Sequence, residues 1–426
     1  MRRFWSVVYN GIVLPLLWLA VYAAAPVKRK ARRAIRGRRG LFASLNIQIS
    51  TLKPGPKRIW FHSSSLGEFE QAKPIIVELK RRRPDALVFA SFFSPSGYDH
   101  SRNYRPADVI TYIPFDSNGN ANRFVDLLRP DAAVIVRYDV WPNHVWALKR
   151  RNIPIFLANA TMDERSARHL PLVNNFHRWV YEDVDFILTV SERDANAFRK
   201  FRLSAPVVAA IGDTRYDQVW QRSRESKTRH ILPAELTAGR SVVVVGSSWD
   251  SDEEELIPAL AKLAREYPKL LTILVPHEPN LDNIERIERE LNGKLRSIRF
   301  SELQDYDREH VVIIDSVGIL MPLYQYAHAA YVGGSFGQGV HNVLEPASYG
   351  TPVVFGPAHG NSQEAMQLAG EGGAFVAKNS DELYAQFRTL LTKKTLRDES
   401  GARARALVER NIGATDRFLS YLEKVL

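Results

Sequence analysis

Residues Ala329–Pro357 read AAYVGGSFGQGVHNVLEPASYGTPVVFGP. An apolar run gives way to glycines, then to a polar turn, a proline-bearing helix start and a second apolar run. That is the order of strand, ligand loop, helix and strand in a parallel α/β sheet. Gly333, Gly334, Gly337 and Gly339 would let backbone N–H groups approach a ligand closely. Pro346 fits only near a first helical turn, which places the helix start around Asn342 or Val343, with Glu345 facing the same mouth. A helix start offers unpaired N–H groups and a positive dipole end to a phosphate, and a carboxylate beside it can accept hydrogen bonds from a ribose. The stretch is a place to hold a nucleotide.

The same alternation continues outward along the chain. Apolar runs at 241–246, 270–275, 311–314, 329–333 and 352–355 predict one set of buried strands, and runs at 58–62, 87–92, 108–113, 132–136, 153–158 and 185–190 predict another. Between the sets, residues 221–240 have the polar composition of a linker. The expected fold is α/β: two doubly wound Rossmann-like domains, 46–220 and 241–426, facing across a cleft, with the last helices packing back on the first domain. Ligands of such sheets bind beyond the carboxyl ends of the strands.

With 426 residues, 45% hydrophobic and 25% charged, the chain can build two proper cores. It has no cysteine, which excludes disulfides, thiolate metal sites and cysteine nucleophiles. Its net charge of +11 is local: Arg2, Arg3, Lys28, Arg29, Lys30, Arg32, Arg33, Arg36, Arg38 and Arg39 give +10 with no acid among residues 1–40. The rest is nearly neutral, so no nucleic-acid groove is expected. Phe4–Ala25, FWSVVYNGIVLPLLWLAVYAAA, carries no charge and is long enough to cross or lie deep in a bilayer. Residues 1–45 therefore read as an anchor with a basic flank that binds anionic lipids through residues 1–40. The excess of cations after the apolar stretch keeps the body on the cytoplasmic side.

A second chemical signal ends the first predicted strand: RIWFHSSSLGEFEQAKP, residues 58–74. Ser64, Ser65 and Gly67 lie where strand gives way to helix, and Glu68 falls in the first turn. Ser65 and Glu68 have the spacing of a capping box, which needs no function. The same carboxylate, on a rigid element beside a glycine, could be a general base. Spacing alone leaves both readings open. The D-x-D pairs Asp250/Asp252 and Asp305/Asp307 are short matches to a metal-binding pattern, and the first reads more simply as the acidic first turn of a helix. His277 and His341 are too isolated for a zinc site, and the glycine order does not fit a dinucleotide fingerprint.

In order along the chain, HSSSLGE, RYDVWPN, NATMDERS, GDTRYD, GSSWDSDEEE, VPHEP, DSVGIL and GGSFGQGVHNVLEP resemble the bacterial 3-deoxy-D-manno-octulosonic acid (Kdo) transferases of lipopolysaccharide synthesis. The resemblance implies a GT-B fold and an inverting, metal-independent and cofactor-free transfer of Kdo from CMP-Kdo to a lipid A precursor at the cytoplasmic face of the inner membrane. It implies Glu68 as general base, with Ser64, Ser65 and Gly67 on the acceptor side, and Arg215 as a cation stabilising the transition state. It implies CMP contacts at Pro276, His277, Val317, Gly318, Ile319, Gly339, Asn342 and Glu345. Arg137 stands where many members carry an acid, so that acid's role does not transfer directly; Asp139 is the nearby carboxylate. Without the resemblance, the residues equally fit a membrane-associated transferase or epimerase using a UDP-sugar.

Overall fold

A computed structural model describes residues 2–53 and 57–426, with backbone alone for residues 2 and 3. The charges expected of Arg2 and Arg3 thus lie outside the described side chains, and residues 54–56 of the first predicted domain lie outside the described residues. The chain forms two compact units, Met1–Gln218 with Ile412–Leu426, and Val219–Asn411.

The first unit is built on seven parallel strands: β1 (Arg58–Ser63), β2 (Leu87–Phe92), β3 (Val109–Tyr112), β4 (Ala132–Val136), β5 (Ile155–Ala160), β6 (Phe186–Thr189) and β7 (Val207–Ala210), in the order β3-β2-β1-β4-β5-β6-β7. Side chains alternate between two cores. Trp60 packs with Phe89, Phe124 and Leu148 on one face, while Ile59 and Phe61 meet Ile75, Leu79 and the final helix's Phe418, Leu419 and Leu422 on the other. The order reverses direction between β1 and β4, and a ligand crevice opens at such a point. His62, Glu68 and Arg137 all lie at or just past the carboxyl ends of those two strands.

The second unit has β8 (Ser241–Ser248), β9 (Leu270–Pro276), β10 (Ser297–Arg299), β11 (Val311–Ile313), β12 (Ala329–Val332), β13 (Val353–Phe355) and β14 (Ala374–Val376), again all parallel, in the order β10-β11-β9-β8-β12-β13-β14. Its reversal falls between β8 and β12, so the segment from Gly333 onward leaves the sheet at the switch point.

Every strand expected from an apolar run forms. Three more, β7, β10 and β14, were not expected, and all three are sheet edges with partly exposed residues. An edge strand needs only one buried partner and carries a weaker apolar signature. β3 is also an edge, but Leu41 and Leu45 of the Leu41–Ser50 helix share its core, and all four of its residues are buried. Residues 221–226, read as linker, instead complete the Thr214–Ser226 helix.

Candidate active site

In the first unit, β1 delivers His62 into a buried polar relay. Its Nδ1 lies 2.9 Å from Ser91 Oγ, and its Nε2 lies 3.0 Å from Asp139 Oδ2. Asp139 also accepts from Trp141 Nε1 at 3.1 Å. Burial drives the Asp139 carboxyl upward, but hydrogen bonds from His62, Trp141 and Ser64 outweigh it and hold the group below its ordinary value.

Glu68 begins the Leu66–Arg82 helix and is only 8% exposed. Its Oε2 accepts the N–H groups of Ser64 and Ser65, the latter at 3.3 Å, while Ser65 Oγ accepts the Glu68 N–H at 3.4 Å. The capping box is therefore formed. Capping does not remove the carboxylate from chemistry, because a fixed oxygen is also a positioned one. Burial raises the Glu68 pKa, the Ser64 N–H opposes this, and the negative Asp139 adds to it. A carboxylate raised in this way is a better proton acceptor than one in water.

Arg137 follows β4 with φ of 64°, a conformation that strains a residue with a side chain, and its Nε is buried with no hydrogen-bond partner. Arg215 directs Nε and a terminal nitrogen onto Asp213 Oδ2 at 2.9 and 2.7 Å, so its cation is oriented by a neighbouring acid. A buried triad sets the helices that carry Arg215 and Glu68. Asn159, itself at φ 49°, donates to Thr214 Oγ1 at 2.6 Å, and that hydroxyl donates to Gln71 O at 2.6 Å.

In the second unit, Asp252 organises the glycine loop. Asp252 is fully buried. Its Oδ1 accepts Tyr331 OH (2.7 Å) and Phe336 N–H (3.2 Å), and its Oδ2 accepts Gly334 N–H (2.7 Å) and Trp249 N–H (2.9 Å). The expectation that the loop glycines free their N–H groups for a ligand is corrected here. Gly333 donates to Gly246 O, Gly334 to Asp252, and both Gly337 and Gly339 to Gly334 O. The glycines serve the loop's own turn: a Cβ on Gly333 would lie 2.1 Å from Ser247 O, and Gly339 has φ of 130°. The helix that follows is Leu344–Ser348, close to the expected start but five residues long, so its dipole is small. Asn342 Oδ1 accepts the Leu344 N–H, and its Nδ2 donates to Glu345 Oε1 at 3.1 Å.

Beside this loop lies a cleft of about 600 Å³. Of the expected nucleotide contacts, Gly318, Asn342 and Glu345 line it together, with Ser247 and His341. Among the described residues, Pro276, His277, Val317, Ile319 and Gly339 do not line it, and Val317 is 81% exposed. His277 lies behind the lining. Its ring stacks on His341 at 4.5 Å and on Trp249 at 4.5 Å, and Trp249 Nε1 donates to His341 Nε2 at 2.7 Å. Burial lowers the His341 pKa, with His277 adding to it, consistent with an imidazole that accepts that bond in its neutral form.

Residues 33–218 match the family described as 3-deoxy-D-manno-octulosonic-acid transferase (kdotransferase). The chain is 25% identical to the 3-deoxy-D-manno-octulosonic acid transferase of Haemophilus influenzae over 435 residues, 99% of each chain. It is 28% identical to that of Aquifex aeolicus over 358 residues, 83% of this chain and 92% of the other. Similarity to Kdo transferases thus extends over nearly the whole chain, and the family match itself over most of the first unit. Among solved structures, the UDP-GlcNAc 2-epimerase of Neisseria meningitidis is similar with a TM-score of 0.60 at 15% identity, covering 86% of this chain and 100% of that one. MurG of Acinetobacter baumannii gives 0.56 at 15% identity, over 87% and 100%. At such identities these likenesses show the fold alone, two doubly wound domains of the GT-B kind.

Reading the sequence alone missed two of the cleft's cations. Arg222 and Arg229 line it from the stretch taken for linker. The available signal was a pair of arginines seven residues apart, two helical turns, which would share one face if the helix of GDTRYD ran on. Asp252 was likewise read as a helix-start acid; it is one, but its second task of holding Gly334 and Phe336 depends on a strand eighty residues away. Among the described residues no cluster of three or more metal-ligating side chains occurs.

Proposed function

We infer that the chain is an enzyme of Kdo transfer in lipopolysaccharide biosynthesis, a reading supported by the family match to residues 33–218 and by relatives aligned over most of the chain. We propose that the donor is CMP-Kdo, the acceptor a lipid A precursor such as lipid IVA, and the transfer inverting, without cofactor or metal. The observation that carries this reading is Glu68: a buried carboxylate, raised in pKa, held by two backbone N–H groups at the switch point of the first sheet.

In the proposed step the Glu68 carboxylate takes the proton of an acceptor hydroxyl. The freed oxygen bonds to the anomeric carbon of Kdo from one face while the carbon–oxygen bond to the phosphate of CMP breaks on the other, and CMP leaves with the electron pair. The leaving phosphate needs positive charge, and the cleft of the second unit offers Arg222 and Arg229. Asn342 and Glu345, tied together, suit the ribose hydroxyls, with Gly318 leaving space beside them. Pro276, His277, Val317, Ile319 and Gly339 would complete the donor site around that first contact set. Ser64, Ser65 and Gly67 would border the acceptor, and Arg137, with its unpaired Nε, is available to an anionic group of either substrate. Arg215, fixed by Asp213, would counter charge developing in the transition state. The enzyme would work at the cytoplasmic face of the inner membrane.

The test is mass spectrometry of lipid IVA after incubation with CMP-Kdo and a chelator. Addition of Kdo supports donor, acceptor and metal independence together. No addition, or addition abolished by the chelator, contradicts the corresponding part.

A further inference from the structure

The helix Phe4–Ala24 is long and apolar enough to cross a membrane. Its packing against the first unit argues for a different placement. Tyr9 OH donates to Asp116 Oδ2 at 2.8 Å, and the other oxygen of Asp116 lies 2.7 Å from His144 Nδ1. Asn143 Nδ2 donates to Asn10 Oδ1 at 2.9 Å. Trp5 meets Phe176 edge-on, and Trp18 lies on Phe115 with ring centres 4.2 Å apart. Tyr9 and Leu14, five residues apart, are both buried; the turn between them, Tyr9–Val13, is wound in the wider i→i+5 manner that brings such a spacing to one face.

From Trp5 to Trp18 the helix therefore lies along the body for about 20 Å at 1.5 Å per residue. The hydrocarbon core is about 30 Å thick. A helix crossing it would draw Asp116, Asn143, His144 and the polar surface around them into lipid, where unsatisfied polar groups are costly.

The helix's other face is unpartnered and apolar: Phe4, Val7, Ile12, Leu16 and Leu19 are exposed. The rim continues onto a separate element. Leu170 and Leu172 are exposed at the start of the Pro171–Tyr181 helix, whose Phe176 touches Trp5. Lys28, Arg29, Lys30, Arg36 and Arg39 follow, all exposed. Arg38 fastens this basic segment to the unit through the Phe93 and Ile113 carbonyls, both at 2.8 Å. Phe93 stacks on Trp141, which donates to Asp139 of the His62 relay.

We propose that residues 4–39 form an in-plane anchor that lies on an anionic lipid surface without crossing it, and that Leu170 and Leu172 insert beside it. The apolar rim supplies insertion and the cations supply complementarity to anionic headgroups. The arm is then a wall of the first unit, holding the carboxyl ends of its strands, where the Glu68 helix starts, near the surface. This goes beyond the transferase reading and does not depend on it, since lipid binding is measured without either substrate.

Two experiments on the full chain test it. The chain has no cysteine, so one cysteine added before Met1 reports topology through a membrane-impermeant maleimide. The expected result is labelling in inverted inner-membrane vesicles, which expose the side bearing the body, and none in spheroplasts. Labelling in spheroplasts shows a spanning helix and overturns the proposal. The second compares sedimentation of native chain and Leu172→Glu with phosphatidylcholine vesicles, with and without phosphatidylglycerol. Leu172 is 75% exposed, so the variant folds as the native chain does, checked by its melting temperature. Binding to the anionic vesicles should fall about tenfold. Binding equal to that of the native chain, or indifferent to phosphatidylglycerol, overturns the proposed surface.

Discussion

Replacing Asp252 by asparagine should damage the second unit far more than an ordinary helix-start substitution. Asp252 accepts four hydrogen bonds, two on each oxygen, and is fully buried. An asparagine keeps one oxygen. Turned toward Trp249 and Gly334, its NH₂ faces two N–H donors; turned toward Tyr331 and Phe336 it faces one, since the Tyr331 hydroxyl can accept from the amide and give its own proton to Ser335 Oγ, 3.1 Å away. At least one bond to a charged acceptor is lost, and the others lose their charge assistance. At roughly 1.5–3 kcal/mol per bond to a charged group, the cost is about 4 kcal/mol. For a domain of this size, at about 2–4 °C per kcal/mol, the melting transition should fall by about 10 °C. The Gly334–Gly339 turn rests on the same donors, so CMP binding should weaken together with stability. Calorimetry of Asp252→Asn with and without CMP, and with and without manganese, reads all of this. A transition within about 2 °C of the native one, or CMP binding that is intact but newly manganese-dependent, would refute the scaffold role and restore a metal reading of Asp250 and Asp252.

Arg222→Ala and Arg229→Ala should each weaken CMP binding by roughly 10- to 100-fold, the loss of about 1.5–3 kcal/mol from a charge-assisted contact. Binding of cytidine, which has no phosphate, should hardly change; equal losses for CMP and cytidine in titration calorimetry would place these arginines elsewhere. A carboxyl can serve as a base only when ionised, and the Glu68 pKa is raised above the ordinary glutamate value of 4.5. Activity should therefore fall with acidification at a higher pH than an exposed glutamate would give. An acid limb of kcat/KM at or below that ordinary value would show that the raised carboxyl is not the group titrating.

Most of the two sheets was legible because parallel strands buried on both faces are continuous apolar runs, as in VVVVG after Ser241 or AAVIV from Ala132. The edge strands β7, β10 and β14 were not legible, since partial exposure dilutes the run that would announce them. At the site, Glu68 was visible as a residue but ambiguous as a role, because a capping box and a positioned base share one spacing and here one side chain has the geometry of both. The glycine loop was visible, yet its mechanics were not. Where its N–H groups go is decided by Asp252 and Gly246, on segments distant in sequence. Arg222 and Arg229 were hidden by polar composition, which is the same for a linker and for the exposed face of a helix. Tyr9 and Asn10 bring polar groups to an otherwise apolar helix; paired with Asp116 and Asn143, they are its attachment.

The central claim is that Glu68 is the base of Kdo transfer, and the most direct measurement is the rate of Kdo addition to lipid IVA from CMP-Kdo by Glu68→Gln. The amide oxygen can still accept the Ser64 and Ser65 N–H groups, so melting temperature and CMP affinity should stay near native values. The rate should fall by about 10²- to 10⁴-fold, the usual contribution of a general base. A folded Glu68→Gln enzyme turning over within roughly tenfold of native would leave Glu68 a helix cap and contradict the account.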